Sequence, residues 1–221
     1  MIETLDLLQR ALDLGGPVVL VLLALSVIAL TTMLYKVWQF ASSGVGRHRA
    51  LQQAIDAWDM GDRAVASEAL SQSTSYLAPL VAEAMAAIHK DTTRLEAEAE
   101  ARFALLERGF RLLDSIAQIS PLLGLFGTVL GMIEAFQALQ EAGAQVDPSL
   151  LAGGIWVALL TTAVGLAVAM PTSLVHSWFE SRLDAERVLA ERAITTVLYP
   201  QGHRSNLRSR ATEVKAELGR A

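Results

Sequence analysis

Three stretches of the chain go without a charged side chain for long enough to cross a bilayer, and helically patterned polar segments separate them. The first runs from Gly15 to Tyr35 (GGPVVLVLLALSVIALTTMLY) and the second from Ser115 to Ile133 (SIAQISPLLGLFGTVLGMI). The third starts after Asp147 and meets no Asp, Glu, Lys or Arg until Glu180. A helix needs about 20 apolar residues to cross a hydrocarbon core of ~30 Å. The first and third stretches exceed that. The second carries Gln118, Ser120, Pro121 and three glycines, so a buried soluble helix competes there with a span.

The segments between the spans read as helices. ASSGVG at 41–46 reads as a loop, after which Leu51, Ala54, Ile55 and Trp58 recur at helical spacing. Asp59-Met60-Gly61-Asp62 reads as a turn, with alanine-rich helices expected on either side of Ser71–Ser75. Leu95, Ala99, Phe103, Leu106, Phe110 and Leu113 form one stripe, which predicts a helix leading straight into the second span. Leu183, Ala190, Ile194 and Val197 form a second stripe after the third span. Spans two and three are therefore expected to continue as long helices that pack on each other, with a frayed tail from Gly202.

Composition agrees with a membrane protein. Of 221 residues, 52% are hydrophobic and only 19% charged, against about a quarter in soluble domains. The net charge of −5 argues against binding nucleic acid through a basic field. Lysine and arginine set the orientation. Arg10 alone precedes the first span, and EAGAQVD between spans two and three has none. Nine fall between Lys36 and Arg111, and eight in the tail. The N-terminus is thus expected outside, with the middle segment and tail in the cytoplasm. Tyr35, Trp38, Phe40, Trp178 and Phe179 suit the inner interface. The acidic start (Glu3, Asp6, Asp13) and the long apolar run argue against a cleaved signal peptide.

Little in the chain suggests chemistry. Cysteine is absent, and the four histidines make no metal-ligand spacing with one another, so no metal and no cofactor is expected. No nucleophile–base or carboxylate pair stands at a usable spacing, which leaves an enzyme without support and no catalytic residue to name. No titratable residue lies mid-span; His176 reads as interfacial, and Glu134 is the candidate outer-side acid. The second span carries Thr128 and the third carries Thr161 and Thr162. Small residues accompany them: Gly124, Gly127 and Gly131, then Gly154, Ala158 and Gly165, at spacings that let helices approach closely in lipid. Two readings stand. The threonines bond their own backbone within packed helices, or their hydroxyls line a path.

SPLLGLFGTVLGMIEAF and GGIWVALLTTAVGLAVAMPT resemble the second- and third-span signatures of the MotA/TolQ/ExbB proton-channel family. The similarity covers the whole chain in layout and is specific over residues 115–178. Three spans place it nearer the ExbB/TolQ branch, with ExbB favoured. The resemblance implies a homo-oligomer, a pentamer, in the bacterial inner membrane. Its pore would hold single-span helices of an ExbD- or TolR-like partner whose aspartate carries the proton, and the work would be delivered to a TonB-like protein. The family's pore threonines map onto Thr128 and Thr162, with Thr161 beside them. The chain departs from the family at Val157, where the branch commonly has a glutamate.

The expected fold is an all-α membrane protein with three transmembrane helices and long cytoplasmic helical extensions. Its parts are a periplasmic segment (1–14), helix 1 (15–36), a cytoplasmic helical domain (37–114), helix 2 (115–139), a periplasmic loop (140–149), helix 3 (150–178), and a cytoplasmic helix and tail (179–221). The expected function is conversion of proton-motive force into work for TonB-dependent outer-membrane transport. A TolQ-like envelope-integrity subunit and a non-conducting scaffold for a TonB-like protein are the alternatives.

Overall fold

The structure is a computed structural model, and it describes residues 2–86, 92–141 and 148–201. Of the expected outer loop (140–149), residues 140–141 and 148–149 belong to helices, and residues 142–147, like the tail from Gly202, lie outside the described residues. Helices account for all regular structure among those residues: α1 (Ile2–Ser42), α2 (Arg49–Met60), α3 (Arg63–Ser71), α4 (Ala78–Ala86), α5 (Thr92–Glu107), α6 (Phe110–Glu141) and α7 (Pro148–Leu198). Three are long and apolar enough to cross a membrane, over Gly16–Ser42, Phe110–Glu141 and Leu151–Leu198.

The chain divides into two compact units. The first comprises the residues up to Lys36 together with Gly109–Phe179. Its α1 breaks at Gly16, whose φ of 66° lies in the left-handed region. Pro17 explains the position, because proline disfavours a helical residue before it and suits the first position of the helix that follows. Val18, Leu22 and Ala29 are buried, while Val21, Val27, Leu30 and Leu34 are exposed, as a helix with one lipid-facing side requires. Helices α6 and α7 carry Pro121 and Pro171, each of which removes an N–H donor from the helix. Next to them, Ser120 Oγ donates to the Ile116 carbonyl and Thr172 Oγ1 to that of Val168, each at 2.7 Å. Those bonds spend the hydroxyls inside the helix, where lipid offers no alternative partner.

One expectation needs correction. The stripe from Leu95 to Leu113 is buried throughout, but it does not belong to a single helix. Between α5 and α6 Gly109 adopts φ 92°, a conformation open to glycine and closed to most side chains. Apolar periodicity runs across the break because both sides bury the same stripe. The same corner buries Lys36 to 1% exposure, with its ammonium 5.4 Å from the Phe110 ring centre. His176 packs edge-on against Phe110 at 5.7 Å, and Phe179 stacks on it at 5.8 Å.

The second unit comprises Val37–Arg108 and the chain from Glu180 onward. The expected turns are present with shifted bounds, at 43–48, 61–62 and 72–77. α1 continues through Ser42, and the turn after it uses positive φ at Gly44 and Gly46. Gly61 closes α2 in the left-handed conformation, and the Asp62 carboxylate caps α3 by accepting the Val65 N–H at 3.2 Å. The α7 stripe (Leu183, Ala190, Ile194, Val197) is buried as expected. The Trp58 indole N–H donates to the Val197 carbonyl at 3.0 Å, tying α2 to the end of α7. Arg187 of α7 pairs with Glu100 and Glu107, joining α7 to α5.

Candidate functional site

Helices α6 and α7 meet along a seam of small residues. Along α6 the buried positions are Gly124, Gly127, Gly131 and Ala135. A methyl group added at Gly124 would lie 3.0 Å from the Thr162 Cα, and one at Gly131 would lie 3.1 Å from the Ala158 Cβ. Added at Gly154, it would lie 2.5 Å from the Ala135 Cβ, and at Gly165, 2.6 Å from the Ser120 carbonyl oxygen. As α6 ascends from 124 to 135, its neighbours on α7 descend from 165 to 154, so the two helices are antiparallel. The backbones come close because, apart from Thr161 opposite Gly127, only glycine and alanine line the contact, which is how helices associate in lipid without a hydrophobic drive.

The threonines take different places on this seam. Thr161 is buried at 2% exposure against Gly127, and its hydroxyl lies 2.7 Å from the Ala158 carbonyl and 3.2 Å from that of Gly124. Thr162 is half-buried and donates to the same Gly124 carbonyl at 3.1 Å. Thr128 is half-buried and bonds the Leu125 carbonyl of its own helix at 2.6 Å. At ~100° per residue, Thr128 and Thr162 fall on one flank of the seam, roughly 6 Å apart along the axis. Val157, half-buried, and Glu134, exposed, fall on the other flank. The structure thus brings Thr128 and Thr162 together, and it holds Thr161 inside the joint. The positions flanking the seam are apolar, with Leu125, Val129, Leu159 and Leu166 exposed.

Sequence spacing did not reveal a second polar cluster, which lies in the second unit. His48 and Glu186 stand 138 residues apart in the chain, and both are buried, at 9% and 2% exposure. His48 Nε2 and Glu186 Oε1 are 2.7 Å apart, and His48 Nδ1 lies 3.1 Å from Ser75 Oγ. The Gly46 N–H reaches the same carboxylate oxygen at 3.0 Å. The Gly46 N–H also points at His48 Nε2, at 2.9 Å, so the Nε2 proton is assigned from the carboxylate 2.7 Å away, and Nδ1 then accepts the serine proton. Glu186 Oε2 and the Tyr76 hydroxyl are buried without a hydrogen-bond partner. Burial first, and then the Glu186 charge, push the Tyr76 phenol above its ordinary pKa. In order these groups resemble a serine–histidine–acid relay. However, Ser75 is only 4% exposed, and its oxygen accepts the Leu77 N–H at 3.2 Å. Its hydroxyl therefore holds a turn, away from any bulk substrate. No group of three or more His, Cys, Asp or Glu able to hold a metal occurs among the described residues.

Residues 58–192 match the MotA/TolQ/ExbB proton channel family. The chain belongs to that family. A biopolymer transport protein exbB1 of Vibrio cholerae is 34% identical over 174 residues, covering 76% of each chain. A putative ExbB homologue of Methanothermobacter thermautotrophicus is 29% identical over 177 residues, which cover 78% of this chain but 62% of that one. A Tol-Pal system protein TolQ of Haemophilus influenzae is 40% identical over 80 residues, about a third of either chain. As a MotA/TolQ/ExbB family member with three helices long enough to span, the chain is a multi-pass membrane protein. The glycine seam and its threonines fall within the family match.

Proposed function

We propose that the chain is the ExbB-like wall of a proton-driven motor in the bacterial inner membrane, with its N-terminus outside. One observation carries this reading. Thr128 and Thr162 share a flank of a close-packed α6–α7 pair in which no acid, base or histidine lies mid-span. Such a wall offers hydroxyls that can donate or accept, but it cannot carry a proton itself. The carrier comes from a second chain, a single-span helix with a membrane carboxylate, enclosed by several copies of this one, five by the family's pattern. A proton from outside neutralises that carboxylate and lowers its cost against the apolar flank. Beside Thr128 and Thr162 the carboxylate finds hydroxyls, ionises and releases the proton inward. Thr161 keeps the wall's two helices in register. At ~150 mV, the potential supplies about 3.5 kcal/mol per proton, enough to bias one step a few hundred-fold. The displaced helices would then drive a TonB-like protein.

The test is cytoplasmic acidification under an imposed inward proton gradient, with the neighbouring aspartate-bearing protein co-expressed. Acidification should be lost when that aspartate becomes asparagine, and also in the double variant Thr128→Val, Thr162→Val. Unchanged flux in the double variant, with the complex assembled, would remove the threonines from the path. The TolQ likeness favours a second reading, a motor for envelope integrity. Rescue of siderophore uptake against rescue of outer-membrane integrity separates the two. Val157, apolar where the branch commonly has an acid, is the observation behind a non-conducting scaffold. An assembled complex that shows no flux of protons or sodium would establish that reading.

A further inference from the structure

We propose that His48, Glu186 and Ser75 form a proton-responsive clasp in the second unit, tightened when His48 gains a proton and loosened when it loses one. The clasp joins three segments: the glycine turn after α1, the turn between α3 and α4, and α7. With His48 neutral, the buried cluster holds the net negative charge of Glu186, satisfied by the His48 Nε2–H and the Gly46 N–H on one oxygen. The Tyr76 phenol faces the same carboxylate. A second proton, on Nδ1, makes the ring a cation and the cluster neutral. The 2.7 Å bond to Glu186 then becomes charge-assisted from both sides rather than from the carboxylate alone. Ser75 accommodates this change by turning from donor to acceptor, since a hydroxyl oxygen has two acceptor positions and Leu77 uses one.

The other titratable and charged groups around the cluster come from the elements packed against it. Tyr76, which faces Glu186, is held neutral by burial and by that carboxylate. Arg182, one turn before Glu186 on α7, lies against Gly46 and keeps its charge at every relevant pH. From α5, Arg102 donates to the Tyr76 carbonyl at 3.0 Å and pairs with Glu98. Arg49 of α2 is exposed. Histidine is the side chain whose charge ordinarily changes between pH 5 and 8. The inference does not depend on whether the membrane helices conduct.

Hydrogen exchange on the intact chain, assembled in lipid nanodiscs, tests the clasp. After correction for intrinsic exchange, amides in 43–48, 72–77 and 183–189 should be about ten-fold better protected at pH 6 than at pH 8. His48→Gln and Glu186→Gln should abolish that difference. Ser75→Ala, which leaves the charged pair intact, should keep it in 43–48 and 183–189 and lose it in 72–77. Equal protection of the wild type at both pH values would overturn the proposal, and so would a difference that survives in His48→Gln. If either variant fails to assemble, ¹⁵N-histidine spectra of the wild type decide. A ring protonated on Nε2 at pH 8 and on both nitrogens at pH 6 supports the clasp, and a ring unchanged from pH 5 to 9 refutes it.

Discussion

Gly165→Ala is the most direct test of the α6–α7 seam. The added methyl would lie 2.6 Å from the Ser120 carbonyl oxygen and 3.1 Å from the Gly124 Cα. Both neighbours are backbone, so no side chain can swing away. Restoring an ordinary contact of 3.4 Å would require the helices to separate by roughly 0.8 Å at that level. Thr162 and Thr161 now reach the Gly124 carbonyl at 3.1 and 3.2 Å, and the same movement would break both bonds. Overpacking costs about 1–3 kcal/mol. Each interhelical hydrogen bond in a bilayer adds about 0.6 kcal/mol. A loss of roughly 2–4 kcal/mol follows. Gly153→Ala, on the same helix with nothing within 4 Å of the new methyl, is the control. Equilibrium unfolding in mixed micelles reads the stability. Paired spin labels on α6 and α7 read the separation, and the absence of native cysteine makes single-site labelling direct. The close-contact reasoning fails if Gly165→Ala matches Gly153→Ala in stability and the label distance does not increase.

Other variants probe separate features. Thr161→Val keeps the shape inside the seam and removes the hydroxyl, so it should cost about 0.6 kcal/mol and at most about 1.7 by the same unfolding assay. Thr161→Leu, too large to face Gly127, should prevent assembly. Gly44→Ala should destabilise more than Gly61→Ala as measured by thermal melting. Both positions have positive φ and pay about 1–2 kcal/mol of backbone strain, but at Gly44 the methyl also lies 2.7 Å from the Thr74 carbonyl oxygen. The hydrogen bond from Arg102 holds the Glu98 carboxyl below its ordinary pKa of 4.5. The stabilisation it gives is therefore complete above pH 4.5 and lost as pH falls through the lowered folded-state value. Melting temperature measured from pH 7 down to pH 3 should fall less steeply in Arg102→Gln.

The spans and the two buried stripes were legible because each rests on apolar periodicity, which burial then uses directly. The break at Gly109 was not, since the period of the stripe continues through it and the signal is one glycine among fifteen. The burial of Lys36 was not legible either, because Phe110, whose ring its ammonium faces, arrives from a helix distant in the chain. Adjacent threonines differ by ~100° of helix rotation, so Thr161 and Thr162 cannot both face the seam squarely. Spacings of four alone would have put Thr162 with Gly154 and Ala158. The mixed steps of four, three, four and four through Gly154, Ala158, Thr161, Gly165 and Ala169 were the signal that puts Thr161 inside. The pairing of His48 with Glu186 leaves no trace in local spacing, because two remote segments bring the groups together.

The Gly124 carbonyl is oversubscribed. It serves its own helix by accepting the backbone N–H four residues on, and both Thr161 and Thr162 also reach it. A carbonyl oxygen has two lone pairs for these three claims. Of the two hydroxyls, Thr161 is enclosed and has the Ala158 carbonyl as a closer partner, while Thr162 is half-buried at the rim. If Thr162 turns away, the carbonyl is left with its two remaining partners and no unmet need. The hydroxyl at the rim is thus the one the joint can spare: turning it away forgoes about 0.6 kcal/mol, while the enclosed Thr161 goes on bridging the two helices.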